Sequence, residues 1–129
     1  MSQQLFSFSI KDRIPDKVMG DSDCQAKIYL AKLDDGRQIS FIQIDKNFNW
    51  TKMVKPMLPN NPDWCPATHF GYLESGEMAI QMQDGTTKTI FAGEAYLIPA
   101  GHLPIFVKDC LMIEFSHDTT YTNKQFLNN

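Results

Sequence analysis

Residues 63–104 decide the fold of this chain, and they read DWCPATHFGYLESGEMAIQMQDGTTKTIFAGEAYLIPAGHLP. Two strand-like runs within this stretch, EMAIQMQ and TTKTIF, stand on either side of Asp84-Gly85. Asp-Gly is a strong signal for a tight hairpin, because glycine accepts the positive φ that such a turn requires. The first run places apolar residues at every second position (Met78, Ile80, Met82), which predicts a strand with one apolar face. This part of the chain is therefore predicted to form antiparallel β-structure.

The same organisation extends to both sides of that stretch. Upstream, residues 26–33 (AKIYLAKL) and 38–44 (QISFIQI) are strand-like, and Asp34-Asp35-Gly36 between them predicts a second hairpin. Downstream, the short apolar runs at 95–98, 105–107 and 111–115 are separated by Gly, Pro and charged residues. Several short strands with such punctuation predict an all-β sandwich or barrel.

The spacing of glycine and proline in this region resembles the paired motifs of the cupin superfamily. The family pattern for the first motif is Gly-x5-His-x-His-x3,4-Glu-x6-Gly, and for the second Gly-x5-Pro-x-Gly-x2-His-x3-Asn. The second motif is recognisable here through Gly93, Pro99 and Gly101. The resemblance implies an all-β fold, the double-stranded β-helix (jelly-roll) cupin barrel, with about six to ten strands.

The positions of the family's metal ligands carry different residues in this chain. Counting back from Gly76 places His69 where the family pattern has Glu, and Cys65 and Asp63 where it has the two His. In the second motif Pro104 stands at the position of the last His, and His102 lies two residues earlier. The resemblance therefore implies the scaffold of a cupin with a rewritten metal site.

A closer resemblance covers Leu58–Ser116, a little under half of the chain. This segment looks like a small single-domain cupin group with a Cys-x-x-x-His motif and a Pro-x-Gly-His turn, here Cys65 to His69 and Pro99 to His102. No established reaction comes with that group. The resemblance supports the fold more strongly than it supports a function.

Four side chains are candidate metal ligands: His69, His102, Cys65 and Asp63. Residues two apart in an extended chain face the same way, so Asp63, Cys65 and His69 share an inner face if the strand is unbroken. Thiolate and imidazole suit Zn²⁺, and imidazole with carboxylate also accepts Fe or Mn. The alternatives are that Cys65 is a small packing residue, that His102 only bonds across its turn, and that Asp63 organises a loop.

Glu114 lies on an apolar run, LMIEF, where a carboxylate is costly unless it is paired. One interpretation makes Glu114 an outer partner that orients His69 or His102. The other places its side chain on the outward face of the strand. The sequence leaves both open.

The stretch from Lys52 to Pro66 carries four prolines, which predicts an irregular loop without a helix. This loop leads directly into Cys65, so it is expected to form the mouth of the site. Trp50 and Trp64 flank the loop and are predicted, with Tyr72, to bind a small organic ligand. The alternative for these aromatic residues is that they belong to the core or to an interface.

Composition indicates one globular domain of 129 residues. We expect the barrel at 21–117, an N-terminal extension or added strand at 1–20, and a C-terminal tail at 118–129. A net charge of −3 without a basic cluster argues against a nucleic-acid partner. No apolar run approaches the roughly 18 residues of a membrane span, and three cysteines without a CxxC motif favour a reducing cytoplasm.

Two functions of different class remain open at this level. The first is a metal-dependent enzyme acting on a small molecule, with a divalent ion as Lewis acid. The second is a small-molecule binding or sensing module that uses no metal and catalyses nothing. A homodimer formed through a barrel face, with the Met78/Ile80/Met82 row or Tyr72 as contact residues, is expected in either case.

Overall fold

The computed structural model describes residues 4–117 and contains nine strands within them. They are β1 (Lys17–Gly20), β2 (Gln25–Lys32), β3 (Arg37–Ile44), β4 (His69–Ser75), β5 (Glu77–Met82), β6 (Thr87–Phe91), β7 (Ala95–Ile98), β8 (His102–Phe106) and β9 (Cys110–His117). Six of these form one sheet in the order β1-β2-β3-β9-β4-β7, and the other three form a second sheet in the order β6-β5-β8. All pairings are antiparallel. The predicted all-β jelly-roll fold is confirmed.

Both predicted hairpins are present where the Asp-Gly signals stand. Residues 33–36 connect β2 to β3, and residues 83–86 connect β5 to β6. Gly36 and Gly85 have φ values of 90° and 93°, in the left-handed region that glycine enters at little cost. Local turn chemistry therefore determines which strands become neighbours.

The apolar face of β5 points into the barrel. Met78 and Ile80 are buried and belong to the hydrophobic core between the two sheets. The sequence analysis named this row as one candidate contact surface of a homodimer, and the burial of Met78 and Ile80 argues against that role for them. Met78 and Ile80 do not offer an exposed face to a partner.

The segment after β3 contains two short helical turns, so the prediction that residues 52–66 lack any helix is wrong at their start. Helix α1 spans Trp50–Met53, and a 3-10 turn spans Lys55–Met57. The side chain of Asn49 caps α1 by accepting a hydrogen bond from the backbone N–H of Lys52 at 2.9 Å. Pro56 lies at the beginning of the 3-10 turn, where its missing N–H costs nothing because that group has no partner there anyway.

The N-terminal segment contributes both an added strand and an arm. Its last four residues form β1, which pairs with β2. Before that strand, Phe8 stacks on Phe41 with a ring-centroid distance of 5.7 Å. The predicted tail at 118–129 lies outside the described residues.

Candidate metal centre

A cavity of about 60 Å³ lies inside the barrel. Its lining is apolar except for three side chains, Cys65, His69 and His102. These three are the side chains with metal-ligand chemistry that reach the cavity from the described part of the chain. Any chemistry in the cavity must therefore start from them.

The three side chains form a compact cluster that joins the two sheets. One ligand atom from each lies within 4.8 Å of the other two. His69 begins β4 in the larger sheet and His102 begins β8 in the smaller one. Their rings meet edge to face, with centroids 5.1 Å apart. The cluster is thus a product of the tertiary fold and not of a single loop.

Backbone pairing fixes Cys65 beside His102. The N–H of Cys65 donates to the carbonyl oxygen of His102 at 2.8 Å, and the N–H of Gly101 donates to the carbonyl oxygen of Cys65 at 2.8 Å. These bonds form a single β-bridge outside the regular strands. The Cys65 thiol is buried, and its sulfur lies 3.9 Å from Nε2 of His69.

Each histidine is held through its other ring nitrogen. Nδ1 of His69 lies 2.7 Å from Oε1 of Glu114. Nδ1 of His102 lies 2.7 Å from the carbonyl oxygen of Pro99, so it must donate its proton there. Both Nε2 atoms are left to face the cluster. This arrangement, in which an outer oxygen orients a ligating imidazole, is the usual surrounding of a protein metal site.

Glu114 is buried and makes hydrogen bonds with both of its carboxylate oxygens. Only 4% of its surface is exposed, and Oε2 accepts a hydrogen bond from the Tyr96 hydroxyl at 2.7 Å. Of the two interpretations of Glu114, the structure excludes the outward-facing one. Tyr96, Glu114 and His69 therefore form one continuous hydrogen-bonded series that ends at the cluster.

Gly71 makes room for that series. It lies opposite Glu114 on β9 and opposite Tyr96 on β7. A Cβ atom at Gly71 would lie 3.0 Å from Cγ of Glu114 and 2.2 Å from the carbonyl oxygen of Ile113. Any side chain there would displace Glu114 from His69.

The electrostatics of the cluster favour a thiolate beside an imidazolium. Burial raises the pKa of the Cys65 thiol, but hydrogen bonds from His102 and His69 lower it by more, to about 6. Burial lowers the pKa of His69, but the Glu114 carboxylate and Cys65 raise it by more, to about 10. Burial and Glu114 together raise the pKa of Tyr96, which stays protonated as a donor. At neutral pH the ligand set therefore holds a thiolate already prepared for a cation.

The donor set fits a tetrahedral metal ion. Bonds of about 2.0–2.3 Å at tetrahedral angles place ligand atoms roughly 3.3–3.8 Å apart. The observed separation of 3.9 Å between Sγ of Cys65 and Nε2 of His69 is close to that spacing. The other two pairs of ligand atoms lie no more than 4.8 Å apart, so small side-chain rotations would bring them to the tetrahedral spacing.

The other predicted site residues lie elsewhere. The carboxylate of Asp63 is exposed and pairs with Lys55 at 2.6 Å, so it is not part of the cluster. Tyr72 lies on the outer face of the larger sheet, and Trp64 is half-buried without lining the cavity. Trp50 is buried and does line the cavity. The sequence analysis missed Tyr96, whose signal is its alternation with Ile98 on the short β7 strand.

We expect Tyr96→Phe to weaken the site without removing it. The substitution leaves a buried oxygen of Glu114 without its donor, which costs about 1–3 kcal/mol of stability. It also loosens the support of His69, and loss of such outer partners typically lowers metal affinity by about 10–100-fold. Thermal unfolding and Co²⁺ titration measure the two effects. Tyr72→Phe, on the outer face, is the matched control and should change neither.

Comparison with known proteins identifies the fold. No protein-family model matches the sequence, and a search of curated proteins found no match. Solved structures do match. A cupin-2 domain protein from Shewanella frigidimarina has a TM-score of 0.50 and 18% identity, covering 70% of this chain and 79% of that one. A cupin superfamily protein from Desulfitobacterium hafniense has a TM-score of 0.52 and 15% identity, with coverages of 72% and 77%.

Ectoine synthase from P. lautus is a third similar structure, with a TM-score of 0.54 and 16% identity over 84% of this chain and 72% of that one. Identities this low establish the fold alone. This chain is a cupin-fold protein, and the resemblance seen in its sequence is confirmed at that level. Within the described residues, no helix combines the length and apolar character needed to cross a membrane.

Proposed function

We propose that this cupin-fold protein binds a divalent metal ion through Cys65, His69 and His102 and acts on a small molecule in the adjoining cavity. The observation that carries the proposal is the convergence of one ligand atom from each of these three side chains within 4.8 Å. The carboxylate–histidine pair behind His69 supports it independently, because that pair is the common outer support of a metal-bound imidazole.

The donor set favours zinc among the metals considered. One thiolate and two imidazoles match the sulfur and nitrogen ligands that Zn²⁺ prefers, and three protein ligands leave a fourth position for water or substrate. Iron is compatible with the imidazoles, whereas manganese prefers oxygen ligands. Because Asp63 pairs with Lys55, the cluster supplies no carboxylate and manganese is the least suited.

A bound ion would supply Lewis-acid chemistry or an activated water at the edge of the cavity. Residues of the chain orient the two imidazole ligands. The Glu114 carboxylate holds the His69 ring so that Nε2 faces the centre, and the backbone carbonyl of Pro99 does the same for His102. The apolar walls exclude bulk water and strengthen every charge interaction within the cavity.

Cobalt binding tests the proposal directly. The wild-type protein should bind Co²⁺ with the charge-transfer absorption of a thiolate ligand, and Cys65→Ser should abolish that absorption. Because it removes a direct ligand, this substitution should lower the affinity by at least about 100-fold, the upper end of the loss seen for outer partners. Cys24→Ser, which removes a thiol outside the cluster, is the control.

A protein that shows no cobalt absorption while its cavity still binds small molecules would contradict the metal proposal. That result would favour the metal-free binding or sensing module instead.

A second function is favoured by the series Cys65, His69, Glu114. A thiolate beside an imidazole whose other nitrogen is held by a carboxylate is the general arrangement of a cysteine nucleophile and its base. Removal of the metal separates the two functions. Treatment with EDTA should abolish a metal-dependent activity and should leave a cysteine-based one intact.

We also propose a homodimer formed through the outer face of β4, β7 and β9. Exposed apolar side chains cluster there: Phe70 lies opposite Leu97 and 6.4 Å from Phe115 by ring centroids. Phe70 is 60% exposed and Leu97 65%. An apolar patch of neighbouring residues on a sheet that ends in the edge strand β7 is suited to burial against a second copy.

Leu97→Asp is expected to convert the dimer to a monomer, because it introduces a charge at the centre of this patch. Light scattering after size-exclusion chromatography measures the mass. Gln81→Asp, an exposed position in the other sheet, should leave the dimer intact. A wild-type mass of one chain at micromolar concentration would contradict the proposal.

We also propose, on chemical grounds, that the protein resides in the cytoplasm. Cys24, Cys65 and Cys110 are all free thiols. A reducing compartment keeps them so. The same compartment preserves Cys65 as a metal ligand. With a net charge of −3, we propose a small molecule and not a nucleic acid as its ligand.

A further inference from the structure

A second pocket, with a volume of about 170 Å³, opens at the seam between the two sheets. It lies between β6, an edge strand of the smaller sheet, and β7, an edge strand of the larger one. In the part of the chain that the structure describes, these two strands do not pair with each other. The walls of this seam pocket are mainly apolar, with Ile80, Ile90, Ile98 and Pro99 among the lining residues.

Lys88 occupies an inward-facing position of β6 beside this pocket. It pairs with Ile80 of β5, and two residues later Ile90 pairs with Met78. Paired residues of neighbouring strands lie on the same face of a sheet, and Met78, Ile80 and Ile90 are all buried in the core. The side chain of Lys88 therefore starts from the core face of the smaller sheet, at the end where the seam is open. Lys88 itself is exposed there.

Lys88 is a cation without an acidic partner. None of the ion pairs within residues 4–117 includes it, and it is the one charged side chain among the described residues that line the seam pocket. The other polar side chains of the lining are the hydroxyls of Thr86 and Thr87. A lysine in such a position lays its aliphatic stem on the apolar wall and keeps its ammonium group in water. The ammonium group is therefore open to an anion that enters the pocket.

These walls restrict the chemical class of the ligand. One cation beside two hydroxyls matches a single carboxylate. A phosphate dianion or a dicarboxylate brings a second negative charge that the lining does not neutralise, and a sugar brings more hydroxyls than the lining can pair. A cavity of about 150 Å³ holds one benzene molecule, so about 170 Å³ accommodates an apolar body of roughly six heavy atoms.

The seam pocket adjoins the metal-ligand cluster without being part of it. Ile80 and Ile98 line both the seam pocket and the inner cavity, so their side chains separate the two spaces. None of the three candidate metal ligands lines the seam pocket. A molecule in the seam pocket would therefore contact the wall of the candidate metal centre from outside and would not reach the ligand atoms.

We infer that the seam pocket is a second ligand site, which binds a monocarboxylate with a short apolar body. The carboxylate pairs with the ammonium group of Lys88, and the apolar body lies against Ile80 and Ile98. Because the pocket contains none of the metal ligands, this binding does not require a metal ion.

Hexanoate and hexanamide make a matched pair of probes. They have the same carbon chain and the same number of heavy atoms, but only hexanoate is charged at pH 7. Each probe is titrated into the full chain after treatment with EDTA, and backbone amides are followed by ¹H–¹⁵N correlation spectra. The spectra give the affinity and also the location of binding, through the amides of Thr87, Lys88 and Ile98.

Hexanoate should shift the amides of β6 and β7 and should bind about fivefold more tightly than hexanamide, the upper end of what one exposed ion pair contributes. Added NaCl should reduce this preference, because salt screens an exposed ion pair. Lys88→Met keeps the length of the stem and should bind both probes equally, whereas Lys88→Arg should retain the preference. Lys32→Met, which removes an exposed lysine on β2, is the control and should behave like the wild type.

Three results would overturn the inference: no binding of either probe, equal affinities in the wild type, or shifts confined to amides outside the seam pocket. The outcome is separable from that of the metal proposal, because the titrations are made without metal. A protein that binds Co²⁺ but does not prefer hexanoate refutes only the inference about the seam pocket. A protein that prefers hexanoate but shows no thiolate-to-cobalt absorption refutes only the metal centre.

Discussion

Replacing Glu114 with glutamine is expected to remove the pH dependence of metal binding and to weaken Co²⁺ binding at pH 9 by about 10–100-fold. Glutamine keeps the size of the side chain but carries no charge. The carboxylate of Glu114 is the main cause that raises the pKa of His69, against the opposing effect of burial. Without it, the pKa of His69 should fall toward the ordinary value of about 6.5.

The sign of the pH effect follows from which ligand carries a proton. With a pKa of about 6, Cys65 is already a thiolate at pH 7. With a pKa of about 10, the ring of His69 is still protonated there and must release one proton when a metal binds. Ligands must be deprotonated to bind, so the wild-type affinity should rise about tenfold per pH unit between pH 7 and pH 9. In Glu114→Gln the affinity should be nearly constant above pH 7.

The two proteins should therefore differ least at pH 7, where proton competition weakens the wild type, and most at pH 9. Glu74→Gln, which neutralises an exposed carboxylate on β4, is the control and should retain the wild-type slope. A wild-type affinity that does not change between pH 7 and pH 9 would show that His69 is not protonated in the metal-free protein. The role assigned to Glu114 would then be wrong.

The fold was predictable from sequence because its determinants are local. The Asp-Gly turns at 35–36 and 84–85 specify their hairpins without reference to the rest of the chain. The alternation of Met78 and Ile80 with smaller or polar residues correctly indicated one buried face of β5. These signals depend only on neighbours in sequence, so a single chain is enough to interpret them.

The site was predictable only where the register of a strand could be counted. Counting from Gly76 brought His69 and Cys65 into consideration, and the structure places both at the cavity. The same reasoning placed Asp63 beside them, because it assumed one extended chain. The chain bends at Asp63 and Trp64, and its β-pairing is limited here to the isolated bridge of Cys65 and the strand that begins at His69. The alternation of faces therefore does not continue back to Asp63.

The outer support of the site was not predictable, because it depends on contacts between distant strands. The run LMIEF could face either way, and the pairing of β9 with β3 and β4 determines that Met112 and Glu114 both face inward. Tyr96 reaches Glu114 across β4 only because Gly71 lies between them. Neither the inward orientation of Glu114 nor its contact with Tyr96 can be predicted from the local pattern of residues.

Gly71→Ala is expected to destabilise the protein by about 3 kcal/mol, at the upper end of the cost of overfilling a packed interior. The new Cβ atom would lie 2.2 Å from the backbone carbonyl oxygen of Ile113, and a backbone atom of a paired strand cannot move aside as a flexible side chain can. For a domain of this size we expect the Tm to fall by about 10 °C or more. Thermal unfolding followed by circular dichroism measures it.

Gly85→Ala separates this steric effect from the cost of backbone conformation. Gly85 has a positive φ, and nothing lies within 4 Å of a Cβ atom placed there. Its substitution should therefore cost only the strain of a left-handed residue, about 1–2 kcal/mol, and should leave Co²⁺ affinity unchanged. Gly71→Ala should lose affinity as well, because Cγ of Glu114 lies 3.0 Å from the added atom and must move away from His69. A Gly71→Ala protein that is destabilised yet binds Co²⁺ like the wild type would show that Glu114 does not position His69. The series from Tyr96 to the cluster would then serve stability alone.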